Sequence, residues 1–279
     1  MDIKCWGSRG AIAVSGKQYL KYGGDTTCIE ITPKSGETII IDAGTGFRHI
    51  GNPFVENNLT QYYLLFTHAH WDHILGFIFS RPLLFSKCKI TIQDRKFSGI
   101  NTRDILNKVM EPPFFPIGLK DMKADIKFEK ALNNTFSIGS VRIETIPISH
   151  PGGGLGYKFI EDDKSFVFLT DNELGFDHPG SVGSDAYLNF SRNADLLFHD
   201  GEYTEEEYKQ KKGWGHSSIQ DVLNLAVKAN VKKLGLFHLN QYRTDDQMDK
   251  IIHDCQADLK KKGSGLDCFA AACNMAIHL

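Results

Sequence analysis

The chain has 279 residues, of which 41% are hydrophobic and 24% charged, and its formal net charge is −2. That length allows one large α/β domain or two small ones, and the composition is that of a globular protein with a sizeable core. The near-neutral charge argues against a generic polyanion-binding surface, and no apolar run approaches the roughly 20 residues of a membrane span.

Cys5, Cys28, Cys88, Cys255, Cys268 and Cys273 are scattered, with no Cys-x-x-Cys pair. This is the usage of a reduced, cytoplasmic protein with buried thiols rather than a disulfide framework. Met1 to Trp6 reads as a strand, not as a signal peptide.

In chain order, Ile3 to Trp6 is expected as a first strand, closed by Gly7-Ser8-Arg9-Gly10. Two more strands are expected over Thr26 to Ile31 and Glu37 to Ile41, separated by the turn Pro33-Lys34-Ser35-Gly36. Asp42-Ala43-Gly44-Thr45-Gly46 then turns into a short helix. Asp42 has two jobs open to it: capping that helix, or hydrogen-bonding an imidazole that itself binds a metal. Tyr62 to Phe66 is an apolar run of buried-strand type. Residues 94–137 are the least regular part, with a helix over Arg103 to Met110 followed by Pro112-Pro113-Phe114-Phe115-Pro116, which cannot be helical. Such a segment suits a lid or an oligomer contact such as a homodimer's.

Beyond it, strands are expected over Val141 to Ile148, Phe166 to Leu169, Leu196 to Phe198 and Leu234 to Phe237. Only about 20 residues separate His150 from Asp171, room for a single hairpin. Helices are expected over Ile219 to Ala229, capped by Ser217 or Ser218, and over Asp245 to Lys262. A final pair of short strands ends at Leu279.

The chemistry concentrates in Thr67-His68-Ala69-His70-Trp71-Asp72-His73. Side chains two apart at the mouth of a strand leave on one side, so His68 and His70 can grip one ion. Asp72 and His73, at the start of the next helix, point to a second position beside it. With 11 His in the chain, H-x-H-x-D-H arises by chance in roughly one such sequence in a thousand.

This motif resembles that of the metallo-β-lactamase superfamily, and the resemblance covers nearly the whole chain. The further ligands it implies match His150, Asp171 and His238, each at the end of an apolar strand run. The implied fold is a single α/β domain over 1–279, a four-layer αββα sandwich, with 94–137 as an insertion. The resemblance also implies that His68, His70 and His150 hold one divalent ion, that Asp72, His73 and His238 hold another, and that Asp171 bridges them. Imidazole and carboxylate suit zinc, and also manganese or iron. Two such ions activate a shared water as a bridging hydroxide nucleophile, with Asp72 serving as both ligand and catalytic carboxylate.

Trp6-Gly7-Ser8-Arg9-Gly10, Tyr22 to Cys28 and Asp42 to Gly46 are similar to the glycine-rich turns of the superfamily's phosphodiesterase branch, the tRNase Z-like and phosphoribosyl cyclic phosphodiesterase-like proteins. Ser8 and Arg9 would then approach a phosphate, the alternative being a tight turn with Arg9 in solvent. His216 and the preceding Asp200 resemble that branch's His and acidic pair, in which the His clamps the phosphoryl group or protonates the leaving oxygen. A poor alkoxide leaving group needs that proton, worth ~10²–10⁴ in rate. Phe114 and Phe115, held by three prolines, offer a wall for a substrate base or else fill the core or an interface.

The reading that results is a phosphodiesterase for a small cyclic phosphodiester, a cyclic nucleotide or cyclic sugar phosphate, forming no stable nucleic-acid complex. Its alternatives are tRNA 3′ processing, thioester or lactone hydrolysis, and a non-catalytic metal or nucleotide sensor.

Overall fold

A computed structural model describes residues 1–50, 60–130 and 133–279. The first half of the chain runs β1 (Asp2–Gly7), β2 (Cys28–Thr32), β3 (Ile39–Ile41), β4 (Gln61–Leu65), the single turn α1 (Trp71–Ile74), β5 (Lys89–Asp94), β6 (Lys96–Phe97), β7 (Ile100–Asn101), α2 (Thr102–Val109) and β8 (Asp125–Lys130). The second half runs β9 (Thr135–Ile138), β10 (Val141–Pro147), β11 (Leu155–Glu161), β12 (Lys164–Leu169), α3 (Ser184–Phe190), β13 (Leu196–Asp200), α4 (Glu205–Lys211), α5 (Ile219–Lys228), β14 (Lys233–Phe237), α6 (Asp245–Lys261), β15 (Asp267–Ala270) and β16 (Ala276–His278).

Two seven-stranded sheets result, ordered β16-β1-β2-β3-β4-β5-β8 and β15-β14-β13-β12-β11-β10-β9. Strand alternation explains the layering. On β12, Phe166 and Phe168 enter the core between the sheets, while Val167 and Leu169 face the outer core. That outer core includes Val222 and Ala226 of α5 and Leu259 of α6. On the other side Phe47, Phe77 and Leu106 cover the back of the first sheet. Both faces of each sheet are therefore buried, giving the four-layer αββα sandwich.

Each sheet joins an antiparallel half to a parallel half. Strands β3, β4 and β5 run parallel, so their carboxyl ends share one edge of the first sheet. The same holds for β12, β13 and β14 in the second, and β10 points the same way across two antiparallel pairings. Such an edge is where open α/β sheets place ligands. Asp42, the 67–73 loop, His150, Asp171, Asp200 and His238 all follow or end these strands.

Three sequence expectations change. The last two strands are not a pair: β15 lies parallel to β14 and β16 antiparallel to β1, in different sheets. Residues 94–137 are not a wholly irregular insertion, because β8 completes the first sheet beside β5 and β9 edges the second. Helices α3 and α4 fall where no helix was expected; α4 carries a Thr204–Glu207 capping box, a legible start signal.

Candidate metal centre

The loop after β4 leaves the sheet at Thr67, whose N–H and hydroxyl both donate to Asp42, at 2.7 Å each. Asp42 also lies 2.8 Å from His73 Nδ1. It therefore orients an imidazole, and it makes no cap bond to the short helix Thr45–His49.

The imidazoles and carboxylates gather into adjoining groups. His68, His70 and His150 offer donor atoms within 4.8 Å of one another, as do His68, His73 and Asp171, and Asp72, His73 and His238. Asp171 faces both sides: Oδ2 lies 3.2 Å from His73 Nε2, and Oδ1 lies 3.3 Å from His238 Nε2 and 3.9 Å from His68 Nε2. Asp72 Oδ2 is 3.1 Å from His238 Nε2 and accepts the Ala11 N–H at 3.0 Å.

These residues fit a pair of cations on chemical grounds. His68 Nε2 and His73 Nε2 are fully buried without a hydrogen-bond partner. Leaving such an atom unsatisfied costs ~1–3 kcal/mol, a cost that ligation removes. Asp42, Asp72, Asp171, Asp200 and Glu202 are all at least nine-tenths buried in the same region. So many buried carboxylates call for positive charge.

Burial drives His68 and His70 down from the ordinary imidazole value and His150 to about 4, Asp171 opposing in each case. Those rings are neutral, as ligands must be. His73 and His238 are also pressed down by burial, yet Asp72 and Asp171 around the first and Asp171 with Glu202 around the second raise both well above it. Those carboxylates thus favour positive charge at this place.

Backbone strain marks the same place. Asp42, Asp171 and His238 occupy the left-handed region, with φ of 61°, 54° and 54°, and so does Ala11, with φ of 59°. Non-glycine residues seldom do so, and such strain concentrates at functional sites.

His216 sits against this cluster. Its ring stacks on His238 at 4.6 Å, Nδ1 lies 3.3 Å from Asp200 Oδ2, and Nε2 lies 3.5 Å from Glu202 Oε2. His216 Nδ1 makes no hydrogen bond, so its contact with Asp200 is a close electrostatic one. Burial lowers the His216 imidazole, but Asp200 and Glu202 outweigh it and raise it overall. Asp200 itself accepts N–H groups from Asn172 and Ser217, each at 3.0 Å. Burial pushes its carboxyl up, yet His199 and His216 hold it at about 2. His199 braces Asp200 through its Nδ1, 2.9 Å from the Asp200 carbonyl.

Two expected phosphate contacts are corrected. Arg9 is neither in solvent nor free for phosphate: it is 1% exposed and donates to the carbonyls of Gly23, Asn240 and Arg243. Ser8 Oγ donates to the Ala271 carbonyl at 2.8 Å. Both side chains fasten turns together. Of the two phenylalanines, Phe115 packs edge-on against Phe79 at 6.0 Å, while Phe114 is 71% exposed.

Residues 37–239 match the family model described as a beta-lactamase superfamily domain. The chain belongs to the beta-lactamase superfamily. Among its relatives, the ribonuclease Z of Gemmatimonas aurantiaca is 24% identical over 262 residues, covering 77% of this chain and 81% of that protein. The exodeoxyribonuclease WalJ of Streptococcus pneumoniae is 27% identical over 248 residues, covering 84% and 85%. In fold, the chain superposes on a diphosphatase from the PhnP family with a TM-score of 0.69 at 18% identity, covering 100% and 97% of the two chains. Yeast PDE1 gives a TM-score of 0.67 at 15% identity, covering 100% and 99%. These relatives place this superfamily member with the phosphodiesterase branch that its turns and His216 resemble.

Two residues of this superfamily member escaped the sequence reading. Glu202 Oε2 lies 3.0 Å from His238 Nδ1, the counterpart of Asp42 at His73. Its spacing of two from Asp200, just past a strand end, was an available signal. Buried Glu173 accepts from the N–H groups of Gly213 and Gly215 and from the Tyr208 hydroxyl, each at 2.7 Å. No local pattern announces it.

Proposed function

We propose that this chain is a dinuclear metal-dependent phosphodiesterase hydrolysing a small cyclic phosphodiester, a cyclic nucleotide or cyclic sugar phosphate. The observation that carries the reading is the seating of His216 on the metal cluster, between Asp200 and Glu202. Two divalent ions, zinc for preference, would polarise the phosphoryl oxygens and supply a water activated near neutral pH. The chain's own residues do the rest. Asp42, Glu202 and the Gly215 carbonyl hold the rings of His73, His238 and His150 by their Nδ1 atoms. Asp200 keeps His216 protonated and aimed, so that the imidazolium can clamp the phosphoryl group and pass its proton to the departing alkoxide. A thioester's thiolate leaves with less need of that proton.

The overall charge of −2 and the short β11–β12 hairpin support a small substrate over a large polyanion. A second reading, tRNA 3′ processing, is favoured by the relatives named ribonuclease Z. Incubating the metal-loaded protein with a cyclic nucleotide panel, bis-p-nitrophenyl phosphate, a precursor tRNA with a 3′ trailer and a thioester separates them. Turnover of the cyclic diesters is expected; tRNA cleavage without it installs the second reading, and thioester turnover alone removes both.

A further inference from the structure

Beside the metal cluster lies a cavity of about 650 Å³ that the proposed chemistry does not use. Its position follows from the sheet. Parallel strands β4, β5 and β8 end at the same edge. The first leads into His68 and His70, the second into Asp94-Arg95-Lys96, and the third into Lys130. Neighbouring strands are about 5 Å apart, so these cations sit on the order of 5–10 Å along the edge from the metal-binding loop.

The opposite wall is Gly152, Gly153 and Gly154, directly after His150. The next residue, Leu155, donates its N–H to the carbonyl of Thr67, which precedes His68. The glycine wall of the cavity therefore follows His150 directly and is tied by that bond to the loop that carries His68 and His70. Ser98 Oγ donates to the Gly152 carbonyl at 3.1 Å and ties the β6–β7 hairpin to the glycine wall. Gly152 and Gly153 have φ of +82° and +73°, and a Cβ at Gly153 would meet nothing within 4 Å. Glycines in this conformation bring bare backbone to open space, where a bulky group can approach.

Charge decides what that group is. Arg95, Lys96 and Lys130 line the cavity against one carboxylate, Asp94. Asp94 accepts the Arg103 N–H at 3.2 Å. Among the described residues, Arg95 donates only to neutral oxygens, those of Gln93 and Asn133. Among the described residues, no acidic partner meets Lys96 or Lys130. Three cations against one carboxylate in one concave place, on a chain whose net charge is −2, focus a positive potential there.

We infer that this cavity is a second phosphoryl subsite, holding a phosphate of the substrate other than the one cleaved at the metals. The inference rests on the phosphodiesterase reading and narrows its substrate class to molecules with two phosphoryl groups about one strand or two apart. The second group is either a terminal phosphate monoester on a small molecule or the next diester of a nucleotide chain.

The test uses the full chain and the double variant Lys96→Glu/Lys130→Glu, both exposed positions outside the metal cluster. Three substrates are compared: a dinucleoside monophosphate, the same molecule with a 5′-terminal phosphate, and a tetranucleotide lacking terminal phosphate. The variant is expected to raise KM about tenfold for the 5′-phosphorylated dinucleotide while leaving the unphosphorylated one within twofold. A parallel rise for the tetranucleotide assigns the subsite to chain diesters, and its absence assigns it to a terminal monoester. Equal changes on both dinucleotides, or none on either, overturn the inference. Calorimetry on protein stripped of metal reads the subsite without turnover. Wild type must bind the 5′-phosphorylated dinucleotide more tightly than the plain one, and the variant must lose the difference. Binding preference with no hydrolysis of these substrates or of the cyclic diesters would overturn the phosphodiesterase reading and leave the subsite standing; hydrolysis without binding preference would do the reverse.

Discussion

The buried Glu173 carboxylate accepts the Gly215 N–H at 2.7 Å, and the Gly215 carbonyl in turn lies 2.9 Å from His150 Nδ1. A side chain with no reach into the metal cluster thereby sets the orientation of one of its imidazoles, through a single residue. Glu173→Ala strands three donors, one of them the fully buried Gly215 N–H, and is expected to cost about 3 kcal/mol, measured as a fall in the unfolding midpoint. Glu173→Gln keeps one acceptor and should be milder. Both should weaken zinc binding by ~10–100-fold in competition with a chelator, as outer partners of ligating histidines do. Lost stability with zinc affinity intact would make Glu173 a loop anchor only.

Two glycines stand directly behind ligand rings. A Cβ on Gly215 would overlap His150, and one on Gly10 would overlap His238. Gly215 adds a φ of +95° that other residues rarely adopt. Gly10→Ala should displace His238 and vacate the position shared with Asp72 and His73, leaving about one metal per chain by elemental analysis. Gly215→Ala should disturb the His68/His70/His150 position instead. Two metals retained in either variant would show that the ring can shift without loss.

Among the described residues, Asp171 is the one carboxylate within 4 Å of imidazoles from both groups. Wild type is expected to carry about two metals per chain. Asp171→Asn keeps the left-handed backbone that Asn tolerates, so it isolates the loss of charge. It should fold, lose most of its metal and lose activity with it. Full metal occupancy in this variant would remove Asp171 from the ligand set.

What the sequence could disclose depended on distance along the chain. H-x-H-x-D-H is legible because six residues carry four ligands, and strand-end positions located His150, Asp171 and His238. Glu173 was invisible because its partners Gly213 and Gly215 lie 40 and 42 residues away, and a lone Glu after a strand has many possible duties. Arg9 was misread for a related reason. A glycine-rich turn with an Arg suits a phosphate, but the same guanidinium suits carbonyls brought from Asn240 and Arg243, over 230 residues on. The pairing of β16 with β1 spans nearly the whole chain and is equally silent.

The aromatic pair in the proline-rich turn divides its duties. Phe115 packs on Phe79 beside the outer core of the first sheet, and Phe114 stands exposed. Phe115→Ala should lower stability by about 1–2 kcal/mol, whereas Phe114→Ala should stay within about 0.5 kcal/mol. If Phe114 forms a wall for a substrate base, its loss raises KM for a cyclic nucleotide about tenfold, the worth of one stacked ring. An unchanged KM assigns Phe114 no part in the substrate pocket.

His216 separates a phosphoryl clamp from a proton donor. It lies within ligand distance of His150 and Asp171, and of Glu202 and His238, so a metal role is the first matter to test. His216→Ala is expected to keep about two metals per chain, because the seven expected ligands remain. On a cyclic nucleotide, whose leaving oxygen is an alkoxide, kcat should fall by ~10²–10⁴. On bis-p-nitrophenyl phosphate the fall should be much smaller, since p-nitrophenolate departs without a proton. An equal loss on both substrates, with metals retained, would mean that His216 and Asp200 hold the phosphoryl group and transfer no proton. A loss of one metal would make His216 a ligand instead, and Asp200 the residue that orients it.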